Sequence, residues 1–396
     1  MKRFLWITPK WPIPATDGAR QATTQLVSAL CEMGTPIDLV ALVPEREAVR
    51  ESEAVDALGI RTATVVRRPN ATRGLHVRNA LRTPFRAITL AQYSMASARD
   101  VLEDAASTPD TVIVFDGLHS GASLQQCEVM PSAPMVYRAH NVEADLWFRA
   151  ATQAKGIAPP LLRWQGRLVQ RFERNLCRAS RLVLPVSDTD ADRFRELAPT
   201  ANVHTLPIGM SPKVQRPTPA EGDQLLFIGR LDWPPNRDGL RWFLDNVWPH
   251  VVRPWRLTLV GSGDGRWLSS YLDDPRIRFL GEVDSVTPHY HKALLSLVPI
   301  FYGSGTRVKA IESSLYATAC LATECGVDGI GLDPTQDYFR AESAEQWIGA
   351  LNDLDVKAAR ERGHNARDRV TARYGGRRIA EDFLRAVDAS LEGELG

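Results

Sequence analysis

The chain has little of what usually assigns a protein from its composition. Its 396 residues carry a formal net charge of only +1, so the overall balance does not require a nucleic-acid partner. Cysteine is sparse: Cys31, Cys127, Cys177, Cys320 and Cys325 are scattered, odd in number and form no CxxC pair. That argues against a disulfide framework or a zinc site and favours a reducing cytoplasm. The opening apolar run, residues 4–7 after a basic start, is too short for a signal peptide or a membrane span and reads as a first β-strand. There is no short-period repeat and no low-complexity tract. Metal motifs are also thin. Asp188-Thr189-Asp190 has the D-x-D form, but Ser187-Asp188 stands where a helix begins, so N-capping accounts for it and no metal site is assigned. Gly261-Ser262-Gly263-Asp264-Gly265 follows a strand without the G-x-G-x-x-G spacing of a dinucleotide loop.

What is present is an ordinary globular composition, 44% hydrophobic and 24% charged, in a chain long enough for two domains. Strand candidates at 4–7, 37–43, 111–115, 135–137 and 182–186 alternate with helical patterns, the first of them running from Asp17-Gly18-Ala19-Arg20 to about Met33. Strands separated by helices imply βαβ units and a parallel sheet. Segment 211–223 then has three prolines and no apolar periodicity, as a linker would. The pattern restarts with strands at 225–228, 257–260, 277–280, 294–300 and 319–322, and a helix near 238–247. The expectation is a first domain over 1–212, a linker over 213–223, a second over 224–375, and a terminal helix over 376–396 able to return to the first. The last helical stretch spans 356–393 and is rich in Arg and Ala. In such doubly wound folds, ligands sit at the carboxyl ends of the strands.

The most informative segment is Gly303-Ser304-Gly305-Thr306-Arg307-Val308-Lys309-Ala310-Ile311-Glu312. It turns from an apolar strand into a helix, leaving bare backbone N–H groups at a positive helix end, which suits a phosphate. Arg307 and Lys309 add positive charge there. Glu312, inside the helix, can accept two hydrogen bonds from a vicinal diol such as a ribose. Phosphate at one end and diol at the other is the shape of a nucleotide. Gly229-Arg230 closes the first strand of the second domain and Asn236-Arg237 follows, so two cations stand where a diphosphate could be clamped.

With these residues in hand, the chain resembles the GT-B glycosyltransferases, specifically the retaining sugar-nucleotide transferases of family GT4, over nearly its whole length. Phe227-Ile228-Gly229-Arg230-Leu231-Asp232-Trp233-Pro234-Pro235-Asn236 is similar to the F-x-G-x-x-D-W-x-P-N motif of one subgroup. Residues 303–312 are similar to its G-x-G-T-R-x-K-x-x-E form of the E-x7-E motif. Gly281-Glu282-Val283-Asp284 resembles the loop that holds the base, and Arg138-Ala139-His140-Asn141-Val142-Glu143 the acceptor-domain turn. The resemblance implies two Rossmann-like doubly wound parallel-sheet domains facing a cleft. It implies catalytic roles for His140, Arg230 and Glu312. It implies donor contacts from Gly18, Gly229, Arg237, Val283, Gly303, Ser304, Gly305, Thr306, Arg307 and Lys309, and acceptor-side contacts from Arg20, Asn141 and Glu143. Two departures stand out. The Lys that usually follows Arg230 is absent, with Arg237 or Lys309 as stand-ins, and Ser304 occupies the place of the first Glu of E-x7-E.

Two basic stretches remain. Between Leu58 and Arg99 there are eight arginines and no acid, which suits either a solvated surface or one meeting anionic lipid or a phosphate-bearing acceptor. Arg163, Arg167, Arg171, Arg174 and Arg178 recur at helical spacing beside Trp164, Leu168, Phe172 and Leu176, and read as the solvated face of a core-packed helix.

The expected activity is metal-independent, retaining transfer of a sugar from a nucleotide diphosphate sugar, with a uridine or guanosine base. The acceptor is a hydroxyl of a glycan, a lipid-linked intermediate or a small molecule. No cofactor and no nucleic acid are expected. The expected location is the cytoplasm, with peripheral contact at the anionic inner face of the membrane. The alternatives are a sugar-nucleotide epimerase or hydrolase of the same fold, and a non-catalytic subunit that binds a nucleotide sugar.

Overall fold

The computed structural model describes residues 2–15, 18–70, 85–106, 108, 110–127, 130–153, 158–210, 223–302 and 307–393. The chain divides into two compact units, one formed by Met1–Gly209 with Gly376–Gly396, the other by Met210–Gly375.

The first unit is built on strands β1 (Arg3–Thr8), β2 (Ile37–Pro44), β3 (Thr62–Arg68), β4 (Thr111–Asp116), β5 (Met135–Ala139) and β6 (Leu182–Pro185), all parallel, in the order β3-β2-β1-β4-β5-β6. The central strands are continuous apolar runs because both of their faces are covered. On β1 the alternation sends Leu5 and Ile7 into one core, and Phe4 and Trp6 into the other. The second core is closed by the terminal helix Gly376–Glu392, whose Phe383 ring lies 5.5 Å from Phe4 and 5.6 Å from Trp6.

The second unit repeats the plan. Strands β7 (Gln224–Ile228), β8 (Arg256–Val260), β9 (Ile277–Gly281), β10 (Leu295–Val298), β11 (Ala319–Ala322) and β12 (Phe339–Arg340) form a parallel sheet in the order β12-β11-β10-β7-β8-β9. Read from each unit's own first strand, both sheets have the order 3-2-1-4-5-6. The strand order therefore reverses beside β1 and β4 in one unit and beside β7 and β10 in the other. A crevice opens at the carboxyl ends of such a pair, and ligands of doubly wound sheets bind there.

Two strands were not among those expected: β3 falls inside the 58–99 stretch that no strand was assigned to, and the two-residue β12 was also unassigned. The helical stretch over 356–393 consists of two helices, Val356–Tyr374 and Gly376–Glu392, separated at Gly375 and belonging to different units.

Candidate functional site

In the second unit, β7 ends at Ile228, Gly229 follows it, and the Pro234–Asn246 helix begins six residues after the strand. Asn236, in that helix's first turn, is buried; its Nδ2 donates to the Arg230 carbonyl at 2.9 Å, and its Oδ1 accepts from the Lys309 ammonium. Gly229 is glycine for a steric reason: a Cβ there would come within 2.6 Å of Asn236 Nδ2 and 2.9 Å of Lys309 Nζ. Lys309 reaches this point from the Val308–Leu315 helix after β10, with its ammonium 4.5 Å from the centre of the Phe227 ring. Burial pushes the Lys309 amine down to about 7. Arg230 itself is exposed and forked onto Asp232, with contacts of 3.1 and 2.7 Å. The switch point of the second sheet thus holds one partly buried and one exposed cation, with Asn236 bonded to the Lys309 ammonium and to the Arg230 main chain. Arg237 pairs instead with its neighbour Asp238 at 3.0 Å.

One turn beyond Lys309 on the same helix, Glu312 Oε2 accepts from the Tyr290 hydroxyl at 3.1 Å. Burial raises the Glu312 pKa against that hydrogen bond. Tyr290 stacks on Tyr316, with ring centres 4.7 Å apart and planes 11° apart, and Val283 packs against this cluster from the loop after β9. A carboxylate therefore stands beside an apolar, aromatic patch on the same side of the sheet's switch point. Arg307, just before the helix, donates to the Cys325 sulfur at 3.5 Å. Gly303, Ser304, Gly305 and Thr306 lie outside the described residues.

In the first unit, the carboxyl ends of β4 and β5 carry a buried polar hub. Asp116 is fully buried and accepts from Trp6 Nε1 at 2.9 Å, the Thr23 hydroxyl at 2.5 Å, Arg138 at 2.8 Å and His140 Nε2 at 2.7 Å. Burial would raise its pKa, but Arg138 and His140 outweigh that and hold it well below the carboxylate range. The carboxylate can only accept, so Nε2 carries a proton toward it. Among the described residues, the buried His140 Nδ1 has no hydrogen-bond partner. The turn after His140 is fixed by buried Glu173, which accepts from the N–H groups of Glu143 and Ala144 at 3.0 and 3.2 Å. Asn141 hydrogen-bonds the Glu143 carboxyl, whose pKa burial raises. Gly18 opens the Gly18–Glu32 helix after β1 with clear space around it. Arg20 ties the Trp11 carbonyl, at 2.8 Å, to Glu47.

Two family models match this chain. One, described as glycosyl transferases group 1, matches residues 222–354, and the other, a glycosyl transferase 4-like domain, matches residues 17–209. The chain belongs to the group 1, GT4-like glycosyltransferases. No curated protein sequence matches it. Among solved structures, sucrose-phosphate synthase of Thermosynechococcus elongatus is 17% identical, with 99% of this chain and 100% of that one covered and a TM-score of 0.70. HepE of Anabaena, in complex with UDP and glucose, is 12% identical, with 98% and 100% covered and a TM-score of 0.65. A variant of S. aureus TarM is 10% identical, with 98% and 99% covered and a TM-score of 0.70. At these identities the likeness is one of fold, and the fold is GT-B.

For this transferase, the sequence singled out most of the second unit's cluster but only His140 of the first unit's hub. Within the second unit the structure brings Gly229, Arg230 and Lys309 together and sets Glu312 beside Val283's cluster, while Arg237 is held by Asp238. Asn236 and Tyr290 were overlooked as site residues, although Asn236 was quoted as the end of a motif. In the first unit, Asp116, Arg138 and Glu173 were overlooked. A charged residue ending an apolar strand was the available signal for Asp116 and Arg138.

The described arginines of the 58–99 stretch are largely engaged within the protein. Arg61 pairs with Asp38, Arg67 donates to the Pro44 and Glu47 carbonyls, Arg68 is buried over the Tyr93 ring, Arg86 donates to the Gln125 carbonyl, and Arg99 pairs with Asp100. Arg73, Arg78 and Arg82 lie outside the described residues. Ser187 caps the Asp188–Leu197 helix by accepting from the Asp190 N–H.

Proposed function

We propose that this glycosyltransferase holds its donor diphosphate with Arg230 and Lys309, joined through Asn236, and its donor ribose with Glu312. The observation that carries the reading is the meeting of Lys309 with Asn236 and Gly229 at the carboxyl end of β7. It supplies, from the helix after β10, the second cation that the motif around Arg230 lacks. Breaking a glycosyl–phosphate bond leaves growing negative charge on the departing diphosphate, and fixed cations stabilise that charge without a metal ion. Asp232 neutralises Arg230 until a phosphate competes for the guanidinium. Tyr290 fixes the Glu312 carboxylate, and the patch around Val283 takes the base.

On the acceptor side, the reading puts His140 beside the reacting sugar, with its ring locked by Asp116. The resemblance to retaining GT4 enzymes supports transfer with retention, to a hydroxyl of a glycan, a lipid-linked intermediate or a small molecule. HepE was solved with UDP-glucose, and TarM with UDP and α-GlcNAc-glycerol, so uridine diphosphate is the first nucleotide to try.

The test is a thermal-shift series with UDP and GDP in EDTA, followed by product analysis with the matching sugar nucleotides. Binding to the native state raises the melting temperature by mass action. A shift with one nucleotide that survives EDTA, and an axial product from an axial donor, are the expected results. A strict requirement for restored Mg²⁺ would overturn the cation assignment. Full turnover to free sugar with no gain from any acceptor would replace transfer by hydrolysis.

A further inference from the structure

The helix Ala158–Ala179 in the first unit packs its apolar side into the core, with Leu176 buried and Leu168 and Phe172 against it, and turns its arginines to solvent. What the sequence did not show is that this solvated charge has no acidic partner among the described residues. The helix carries five arginines and one glutamate over 22 residues, and the glutamate, Glu173, is buried. Arg163, Arg167, Arg171 and Arg178 are exposed, and at 100° per residue they fall on one narrow stripe. Among the described residues none of the four pairs with an acid. The exposed arginines of the adjacent Asp188–Leu197 helix do: Arg193 with Asp145 and Glu196, and Arg195 with Asp192. The stripe is therefore a run of unneutralised positive charge rather than a lattice of surface ion pairs.

Beside it lies an apolar groove. A cavity of about 250 Å³ is lined by Phe85, Arg86, Met130, Leu168, Arg171 and Phe172, among others, and no acidic residue lines it. Large apolar side chains stand out around this face: Phe85 is 81% exposed, Leu161 55% and Met130 47%. On the helix, the groove residues Leu168 and Phe172 sit immediately beside the arginine stripe. Among the described residues no helix is long and apolar enough to cross a membrane.

We propose that this face docks the protein on an anionic lipid bilayer. The arginines meet headgroup phosphates, while Phe85, Met130 and Leu161 enter the interfacial layer. The argument is one of complementarity. An interface with anionic headgroups above and acyl chains beneath matches a guanidinium row flanked by exposed apolar side chains. A soluble polyanion would answer the arginines and leave the apolar groove unused. This surface is separate from the donor and acceptor residues assigned above, so its failure would leave the donor reading intact.

The test is flotation of the full-length protein with phosphatidylcholine vesicles, with and without phosphatidylglycerol. Two variants are compared with the parent: Arg163→Glu/Arg167→Glu/Arg171→Glu, and Phe85→Ser/Met130→Ser. All substituted positions are exposed, and an unchanged melting temperature together with an unchanged UDP shift confirms folding. The expected results are binding to the anionic vesicles only, a loss of about a hundredfold or more in the charge-reversed protein, and a several-fold loss in the apolar variant at unchanged charge. Equal binding to neutral vesicles would overturn the proposal, as would anionic binding undiminished by charge reversal. Retention on heparin without vesicle binding would assign the face to an acidic macromolecule and overturn it too.

Discussion

The two switch points of this transferase share a strand order and differ in how they hold charge. In the first unit a single fully buried carboxylate, Asp116, is satisfied by four donors and locks a histidine. In the second, the exposed Arg230 is balanced by one exposed acid, and the partly buried Lys309 by a neutral amide. A saturated hub is rigid and cannot exchange partners without exposing a buried charge. A cation facing an amide or an exposed carboxylate can accept a phosphate with little loss. On the proposed reading, the same topology serves as a positioning device in one half and as a receptor for anions in the other.

The sharpest way to break this comparison is Asp116→Ala. Removing it leaves Arg138 buried and unpaired, which costs about 3–5 kcal/mol. Denaturant unfolding is expected to show that loss in the first unit's transition, with UDP binding intact. The folded-state pKa of Asp116 lies below its unfolded value. Its contribution is therefore full above about pH 4 and lost as pH falls through the acid range, and the variant should lack that part of the acid sensitivity. Equal damage to UDP affinity would show that the two halves do not divide the work in this way.

Arg230→Ala comes next. Charge on the leaving diphosphate grows toward the transition state, so steady-state kinetics should show turnover falling about a hundredfold with a smaller change in donor affinity. A loss confined to KM would make Arg230 a ground-state contact only.

Glu312→Ala removes charge-assisted hydrogen bonds worth about 1.5–3 kcal/mol each. Calorimetry is expected to show weaker binding of both UDP and the UDP-sugar, and a 2′-deoxyribose analogue should lose much less on mutation. Nucleotide binding like that of the parent protein would remove Glu312 from the site.

The smallest effect is a pH dependence. Burial holds the Lys309 amine near 7, so in the free protein it is increasingly neutral above that pH. A diphosphate restores the charge, and binding in alkaline buffer takes up a proton. UDP affinity should fall by up to about tenfold per pH unit above 7, and this slope should vanish in Lys309→Met. An identical slope in the variant would place the titration elsewhere.

Much of this was legible in the chain. Apolar runs such as 111–115 and 257–260 are buried on both faces, so their composition alone marks them as strands. β3 was missed because it is an edge strand: exposed residues alternate along it with half-buried and buried ones, and its arginines drew attention as charge. The motif residues 229–236 and 307–312 pointed to an anion site because glycine, cations and a carboxylate at those spacings have few other uses together. Asp116 gave no such sign, since a lone Asp after an apolar run is common and its four partners lie on β1, the first helix, β5 and the turn after β5.

The sequence by itself determined the alternation of strands and helices, the restart of that pattern after 211–223, and the kinds of chemistry available near 230 and 312. Those are local properties, set by periodicity and by residue type. Only the tertiary structure decided which charges meet. It brought Lys309 to Asn236 across more than seventy positions, satisfied Asp116 from three separate elements, and laid Phe383 of the terminal helix against Phe4 and Trp6. Those outcomes depend on which strands become neighbours in a sheet, a long-range fact that no window of residues contains.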